Sequence, residues 1–318
     1  MIDRRDLLSL VAVGAGVATA GRAAAQVARM IPQRPSARVI VDNDFAGDPD
    51  GLAALAHQLL THKTRVTLVT SSAVDPKLAD AALAGRSAVA GRDTALELIR
   101  RAGISQAPPV VAGAERFAPG PSPAARAIVA EAMRDDPLPL IVTCGGPLTN
   151  IAAALRLAPR IATRMTLIWI GGGGYPAGGW EYNLAVDAAA TRYVFEESRV
   201  PLWQVPQPAY RQMQVSIAAL GADLRPISPF TRWLYDQFTA PPPFVTLGGT
   251  WPLGDSPLVL LSAISTESSH YADLPARRIG DDGHYGAVVP GRMVRVFDQL
   301  DARLTFDDFY ALLRLNAR

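Results

Sequence analysis

The chain has 318 residues, 49% hydrophobic and 19% charged. That is enough apolar material for one sizeable core and too little charge for wholesale disorder. Lys and Arg number 31 against 29 Asp and Glu, a formal net charge of +2, so no basic stripe advertises nucleic acid. A single cysteine, Cys144, excludes an intrachain disulfide, and the four histidines lack HExxH or HxH spacing, which argues against a histidine-rich zinc centre.

At the amino end Arg4-Arg5-Asp-Leu7-Leu8 precedes a Gly/Ala/Val-rich apolar stretch to Ala20 and then Ala23-Ala24-Ala25. Charged start, apolar middle and small-residue exit make a signal peptide. The apolar run of about 13 residues is short of the roughly 20 that a spanning helix needs. The paired arginines resemble a twin-arginine (Tat) signal, with Asp3 where Ser or Thr is usual and Leu7 where Phe is. The expectation is a signal over 1–25, export to the periplasm and no stable membrane association after signal removal. Residues 26–37 read as a lead-in and 38–318 as one domain.

Through that domain short apolar strands alternate with helical patterns. Val39-Ile40-Val41 ends in acids, after which Leu52, Leu55, Ala56 and Leu59 repeat at helical spacing. Val66–Val69 is the next strand, followed by two Ala-rich helical stretches over about 77–102. Pro108–Val111 and Leu138–Val142 are further strands; Pro147 opens a helix that Pro159 stops. Thr166–Ile170 runs into Gly171–Gly174, Met293–Phe297 is a late strand, and Thr305 with Asp308 reads as the capped start of a closing helix. This rhythm predicts a single-domain α/β fold, a mostly parallel central sheet with helices on both faces. Ligands of such sheets bind beyond the strands' carboxyl ends. The segments 42–50, 144–146 and 171–174 therefore share one rim.

The first of them, Asp42-Asn43-Asp44-Phe45-Ala46-Gly47-Asp48-Pro49-Asp50, holds four carboxylates at a strand end. Asp is an ordinary turn and cap residue, but four together repel one another, and a hard divalent cation with oxygen ligands offsets that cost. The loop resembles the Asp-x-Asp-x-x-x-Asp-Asp signature of the nucleoside hydrolases, with Pro49 as a one-residue insertion before Asp50. Gly146-Pro-Leu-Thr-Asn150, Ile170-Gly171-Gly172, Glu181-Tyr182-Asn183 with Asp187-Ala-Ala-Ala190, and Leu253-Gly254-Asp255-Ser-Pro257 are similar to later family segments in the same order.

The resemblance implies an open Rossmann-like fold and a Ca²⁺-dependent N-ribosyl glycosidase acting on ribonucleosides or related N-ribosides. Asp44, Asp50, Asp255 and the Gly145 carbonyl would be metal ligands, and Asp44 also the catalytic base toward water. Asp48, Glu181 and Asn183 would bind the sugar, and Asp42 would brace the loop from behind. Trp180 and His284 are candidates for base or leaving-group contacts, with Trp251 a further stacking candidate. Relatives of this kind imply a homodimer or homotetramer.

The departures are the missing His at Gly254, a short loop between Gly174 and Glu181, and Ser71-Ser72-Ala73 where an asparagine is usual. They leave open an exported nucleoside- or sugar-binding protein with lost turnover. A dehalogenase-type phosphatase also begins with Asp-x-Asp, but its phosphate-binding lysine is missing, since Lys63 and Lys77 come too early. His57 reads as packing or surface, and Cys144 as an inert buried residue.

Overall fold

The structure is a computed structural model that describes residues 31, 33–77, 81–118, 120–241 and 247–317. The chain divides into two units, Met1–Arg34 and Pro35–Arg318. The signal peptide expected over 1–25 lies outside the described residues, and the account below concerns the second unit.

Strand β1 (Ala37–Asn43) is buried along its whole length. Val39 and Val41 enter one apolar layer and Ile40 the other, the pattern of a strand covered on both faces. On one side β1 pairs in parallel with β2 (Thr64–Ser71), which pairs with β3 (Val110–Ala112). On the other it pairs with β4 (Leu140–Cys144), then β5 (Met165–Ile170) and β6 (Leu202–Val205), all parallel. Beyond β6 lies β10 (Tyr285–Gln299), parallel to it, with β9 (His270–Ile279) antiparallel at the edge. The order is β3-β2-β1-β4-β5-β6-β10-β9, and β7 (Gln214–Ser216) with β8 (Thr250–Pro252) forms a separate antiparallel pair. Strand order reverses between β1 and β4. The loops leaving those two strands therefore part in opposite directions and open a crevice.

Helices α1 (Asp50–Leu60) and α2 (Ser87–Arg101) cover one face with the closing helix α7 (Ala302–Leu315), through Leu52, Leu55, Leu98, Phe309 and Leu313. Helices α3 (Pro123–Met133) and α4 (Thr149–Leu157) cover the other, where Ile128, Ile151 and Leu155 meet Ile40, Val142 and Trp169. The short α5 (Tyr182–Val186) follows β5, and α6 (Pro229–Gln237) packs with the first layer through Leu234. Among the described residues no helix is long and apolar enough to cross a membrane.

The expected α/β architecture is present, with local corrections. Among the described residues of the Ala-rich stretch, one long helix forms, at Ser87–Arg101; Arg86 and the left-handed Gly85 before it break the pattern. Helix α4 starts at Thr149, two residues after Pro147. The late strand is three times the expected length, because Tyr285–Gln299 pairs along β9. The closing helix is capped by Asp301, whose carboxylate accepts the Leu304 N–H at 2.8 Å, while Thr305 lies inside it and donates to the Asp301 carbonyl.

Candidate active site

The crevice begins where β1 ends. Asp42 is fully buried and accepts from the Thr70 hydroxyl, the Asn150 amide at 2.8 Å and, weakly, the Cys144 thiol at 3.5 Å. One carboxylate thereby joins β1, β2, β4 and α4. Burial pushes its pKa up to about 6, against the pull of those donors. Asn43 turns its Oδ1 back to the Asp44 N–H and gives its amide to the Asp255 carboxylate, both at 2.8 Å. A residue from β1 is thus tied to one more than two hundred positions away.

Asp44 is next, partly accessible in the recess, and no neighbouring side chain among the described residues binds its carboxylate. Asp48 is exposed and accepts the Asp50 N–H at 3.2 Å just ahead of α1. Pro49 takes the place before the first turn, and Asp50, the first helical residue, accepts the Asp255 N–H at 3.1 Å. Asp50 thus faces Asp255. Gly51 makes the turn fit: a Cβ there would stand 2.8 Å from the Asn43 amide. From β4, Gly145 comes so near Asp255 that a Cβ would lie 2.5 Å from its carboxylate. The Gly145 carbonyl accepts from the Asn183 amide at 2.9 Å, which also reaches the Ile170 carbonyl at 3.0 Å. Asn183 Oδ1 is buried and unpartnered, so this residue ties β4 to β5 and keeps a free acceptor.

Electrostatics single out this rim. The Asp44 carboxyl is pushed up to about 8, first by desolvation and then by the charge of Asp48. Asp50 is held well above the carboxylate range by desolvation and the charge of Asp255, and Asp255 is raised by its own burial. Among the described residues, no ion pair with Lys, Arg or His involves any of these three.

Nor, among the described residues, do three His, Cys, Asp or Glu side chains converge on one point at ligand spacing; Asp255 leans instead on Asn43. The donor chemistry still fits a hard divalent cation. Asp44, Asp50, Asp255 and the second lone pair of the Gly145 carbonyl are all oxygen donors, they border one recess, and their mutual repulsion lacks a positive partner.

Glu181 is buried to 1% exposure, deeper than a sugar-facing surface acid. Its Oε2 accepts the Gly172 N–H at 2.7 Å and the Leu184 N–H at 3.0 Å, capping α5; its Oε1 accepts the Tyr210 hydroxyl at 3.0 Å. Desolvation still raises its pKa. Trp180 and His284 lie at the surface, Trp180 at 63% exposure, His284 paired with Asp282 at 3.0 Å. Their loops are joined, since Gly178 bridges His284 and the Gly179 N–H reaches the Gly283 carbonyl at 3.0 Å. Trp251 is buried edge-on against Phe238 and belongs to the core. His57 is buried too, between α1 and α7, with Asp308 at 2.8 Å.

Comparison with known proteins agrees with this geometry. Residues 39–240 match the sequence profile of the family described as inosine-uridine preferring nucleoside hydrolase. The chain belongs to that family. An inosine-uridine preferring nucleoside hydrolase of Crithidia fasciculata is 40% identical over 77 residues, 23% of this chain and 23% of its own length. A pyrimidine-specific ribonucleoside hydrolase of Salmonella arizonae is 30% identical over 121 residues, 35% of this chain and 38% of its own. These matches span well under half of either relative. The solved inosine-uridine preferring nucleoside hydrolase of Bacillus anthracis superposes with a TM-score of 0.68 at 17% identity, covering 87% of this chain and 99% of that one. A purine-preferring ribonucleoside hydrolase from Gardnerella vaginalis gives 0.68 at 18%, covering 88% and 98%. At such identities the shared property is the nucleoside hydrolase fold.

Within that fold, two parts of this rim escape sequence reading. Ser72 is buried with an unpartnered hydroxyl, and a Cβ on Gly146 would come within 2.8 Å of it and 3.0 Å of the Asp44 nitrogen. The only sequence signal was its place where the family's asparagine is missing. Tyr210, just past β6, had no signal at all, since its partner Glu181 is 29 residues away.

Proposed function

We propose that this chain hydrolyses the N-glycosidic bond of ribonucleosides, or of related N-ribosides, to free base and ribose, with Ca²⁺ at the Asp44–Asp50–Asp255 rim. The observation that carries the reading is that these three carboxylates, all with raised proton affinity and, among the described residues, no cationic partner, lie on one rim at the switch point of a nucleoside hydrolase fold. Asp44, Asp50, Asp255 and the Gly145 carbonyl would hold Ca²⁺, which when bound would make a neighbouring water more acidic.

Asp44 has no side-chain partner among the described residues, so it can take a proton from the water that attacks C1′. The surplus negative charge favours the oxocarbenium-like sugar of the transition state. Asp48, exposed at the mouth, and the free Asn183 Oδ1 are acceptors for ribose hydroxyls. Asp42, pinned by three donors, keeps the loop in register. The binding-protein alternative has no observation of its own in its favour.

The test is reducing-sugar release by mature protein from inosine, uridine, adenosine and cytidine, with and without a chelator. Relatives named for inosine-uridine, purine and pyrimidine preferences make both base classes necessary. Release that the chelator abolishes and Ca²⁺ restores supports the reading; no release from any nucleoside overturns it. We also propose Tat export to the periplasm and a homodimer or homotetramer. Arg4→Lys with Arg5→Lys should trap the chain in the cytoplasm, and sedimentation should give more than one chain per particle.

A further inference from the structure

We propose that Tyr210 protonates the departing base and that Glu181 supplies the proton to Tyr210; this rests on the hydrolase reading above. The ring stands at the reacting rim. A Cβ placed on Gly254 would lie 3.2 Å from Tyr210 Cδ2 and 3.2 Å from Asp50 Oδ2, so the tyrosine edge and the Asp50 carboxylate border the same point. That point adjoins Asp255. Gly254, with no side chain, leaves the space to the ring. Tyr210 keeps partial solvent access, whereas Glu181 behind it is buried.

The hydrogen bonding permits a relay. Glu181 Oε2 is occupied by two backbone N–H groups, so Oε1 is the oxygen able to carry a proton. Oε1 and the Tyr210 hydroxyl oxygen are 3.0 Å apart, and that contact holds one hydrogen whichever partner donates it. With Glu181 ionised, Tyr210 donates inward. With Glu181 protonated, the acid donates to the phenol oxygen and the phenol O–H is freed from Glu181, with Gln207 as its other side-chain neighbour. Burial of Glu181 favours its protonated form, and burial together with the Glu181 charge keeps the phenol protonated.

As the C1′–N bond breaks, its electron pair goes to the base nitrogen, which takes the Tyr210 proton. The Glu181 proton moves to the phenol oxygen, leaving a carboxylate. The water oxygen bonds to C1′ and its proton goes to Asp44. Glu181 is reprotonated from solvent afterwards. His284, paired with Asp282 on a surface turn, is not needed.

A substrate whose leaving group needs no proton separates this role from simple positioning. p-Nitrophenyl riboside and inosine are compared for wild type, Tyr210→Phe and Glu181→Gln, with folding checked by circular dichroism. Tyr210→Phe should lower kcat on inosine by about 10²-fold, the usual worth of a general acid, and change nitrophenyl riboside turnover less than about threefold on the same reasoning. Glu181→Gln keeps an acceptor for the two N–H groups and a donor to the phenol but has no proton to pass on, so it should show the same split. Equal losses on both substrates, or no loss on inosine, would overturn the relay. The nucleoside compared with nitrophenyl riboside is inosine or, where inosine is not cleaved, whichever of uridine, adenosine and cytidine is; if wild type cleaves none of them, the hydrolase reading fails with the relay, and otherwise only the relay is in question.

Discussion

The inner and outer halves of the rim are built differently. The inner half, from Asp42 to Asp50 with Gly145, Asn183 and Asp255, is closely cross-bonded: Asn43 links Asp44 to Asp255, and Asn183 links Gly145 to Ile170. The outer half, with Trp180 on one loop and His284 on the other, is exposed and joined chiefly backbone to backbone. Rigid support suits groups that must meet a cation and a sugar within fractions of an ångström. A loose outer wall suits bases of varying shape. On the proposed reading, chemistry resides in strand ends and substrate range in loops.

The sharpest way to break this contrast is Asp44→Ala. Removing an acceptor of the water proton that is also an implied metal ligand should cut kcat on any cleaved nucleoside by at least about 10³-fold, with the fold retained by circular dichroism. Near-parental turnover would contradict the role given to the inner half.

Metal removal comes next. In the metal-free chain Asp44 titrates near 8 and Asp42 near 6, against an ordinary 3.8. Between those limits the folded chain holds more protons on these two groups than the unfolded one, so their contribution to stability is fully present below about pH 4 and is lost as pH rises toward 8. The metal-free Tm should therefore be lower at pH 8 than at pH 5. Saturating Ca²⁺ should raise the pH 8 value by several degrees and flatten the slope, because it binds the deprotonated carboxylates. A slope unmoved by the ion would separate the titration from the metal.

Asp42→Asn is smaller in effect. It turns an amide toward the donors Thr70, Asn150 and Cys144, at about 1–3 kcal/mol for a buried polar mismatch, read as a lower denaturation midpoint with reduced kcat. Smallest of all, Trp180→Ala and His284→Ala should leave Tm unchanged and alter kcat/KM by less than about tenfold, within what a peripheral stacking contact is worth. They should alter it differently for inosine and uridine. A large, base-independent loss would move them into the chemistry.

The legible parts of this molecule are those whose physics is local. Val39-Ile40-Val41 announces a doubly covered strand, and the acids after it announce a crowded strand end, because both depend on neighbours in sequence. The two-residue delay of α4 and the capping by Asp301 depend on which backbone N–H finds a partner, which periodicity does not report. Glu181 was placed at the site through resemblance, but its burial and its bond to Tyr210 depend on β6 lying beside β5. Trp251 looked like a stacking residue and proves to be core because Phe238 meets it edge-on. Side chains brought together only by the sheet stay silent until the sheet is assembled.

The central claim is that the Asp44, Asp50 and Asp255 carboxylates are arranged to share one divalent cation. Calorimetric titration of Ca²⁺ into metal-free protein at pH 7.5 tests it directly. The account predicts saturable binding of one ion per chain, lost in Asp44→Asn and in Asp255→Asn. An absence of binding heat at any temperature tried, or affinity unchanged by both substitutions, would contradict it.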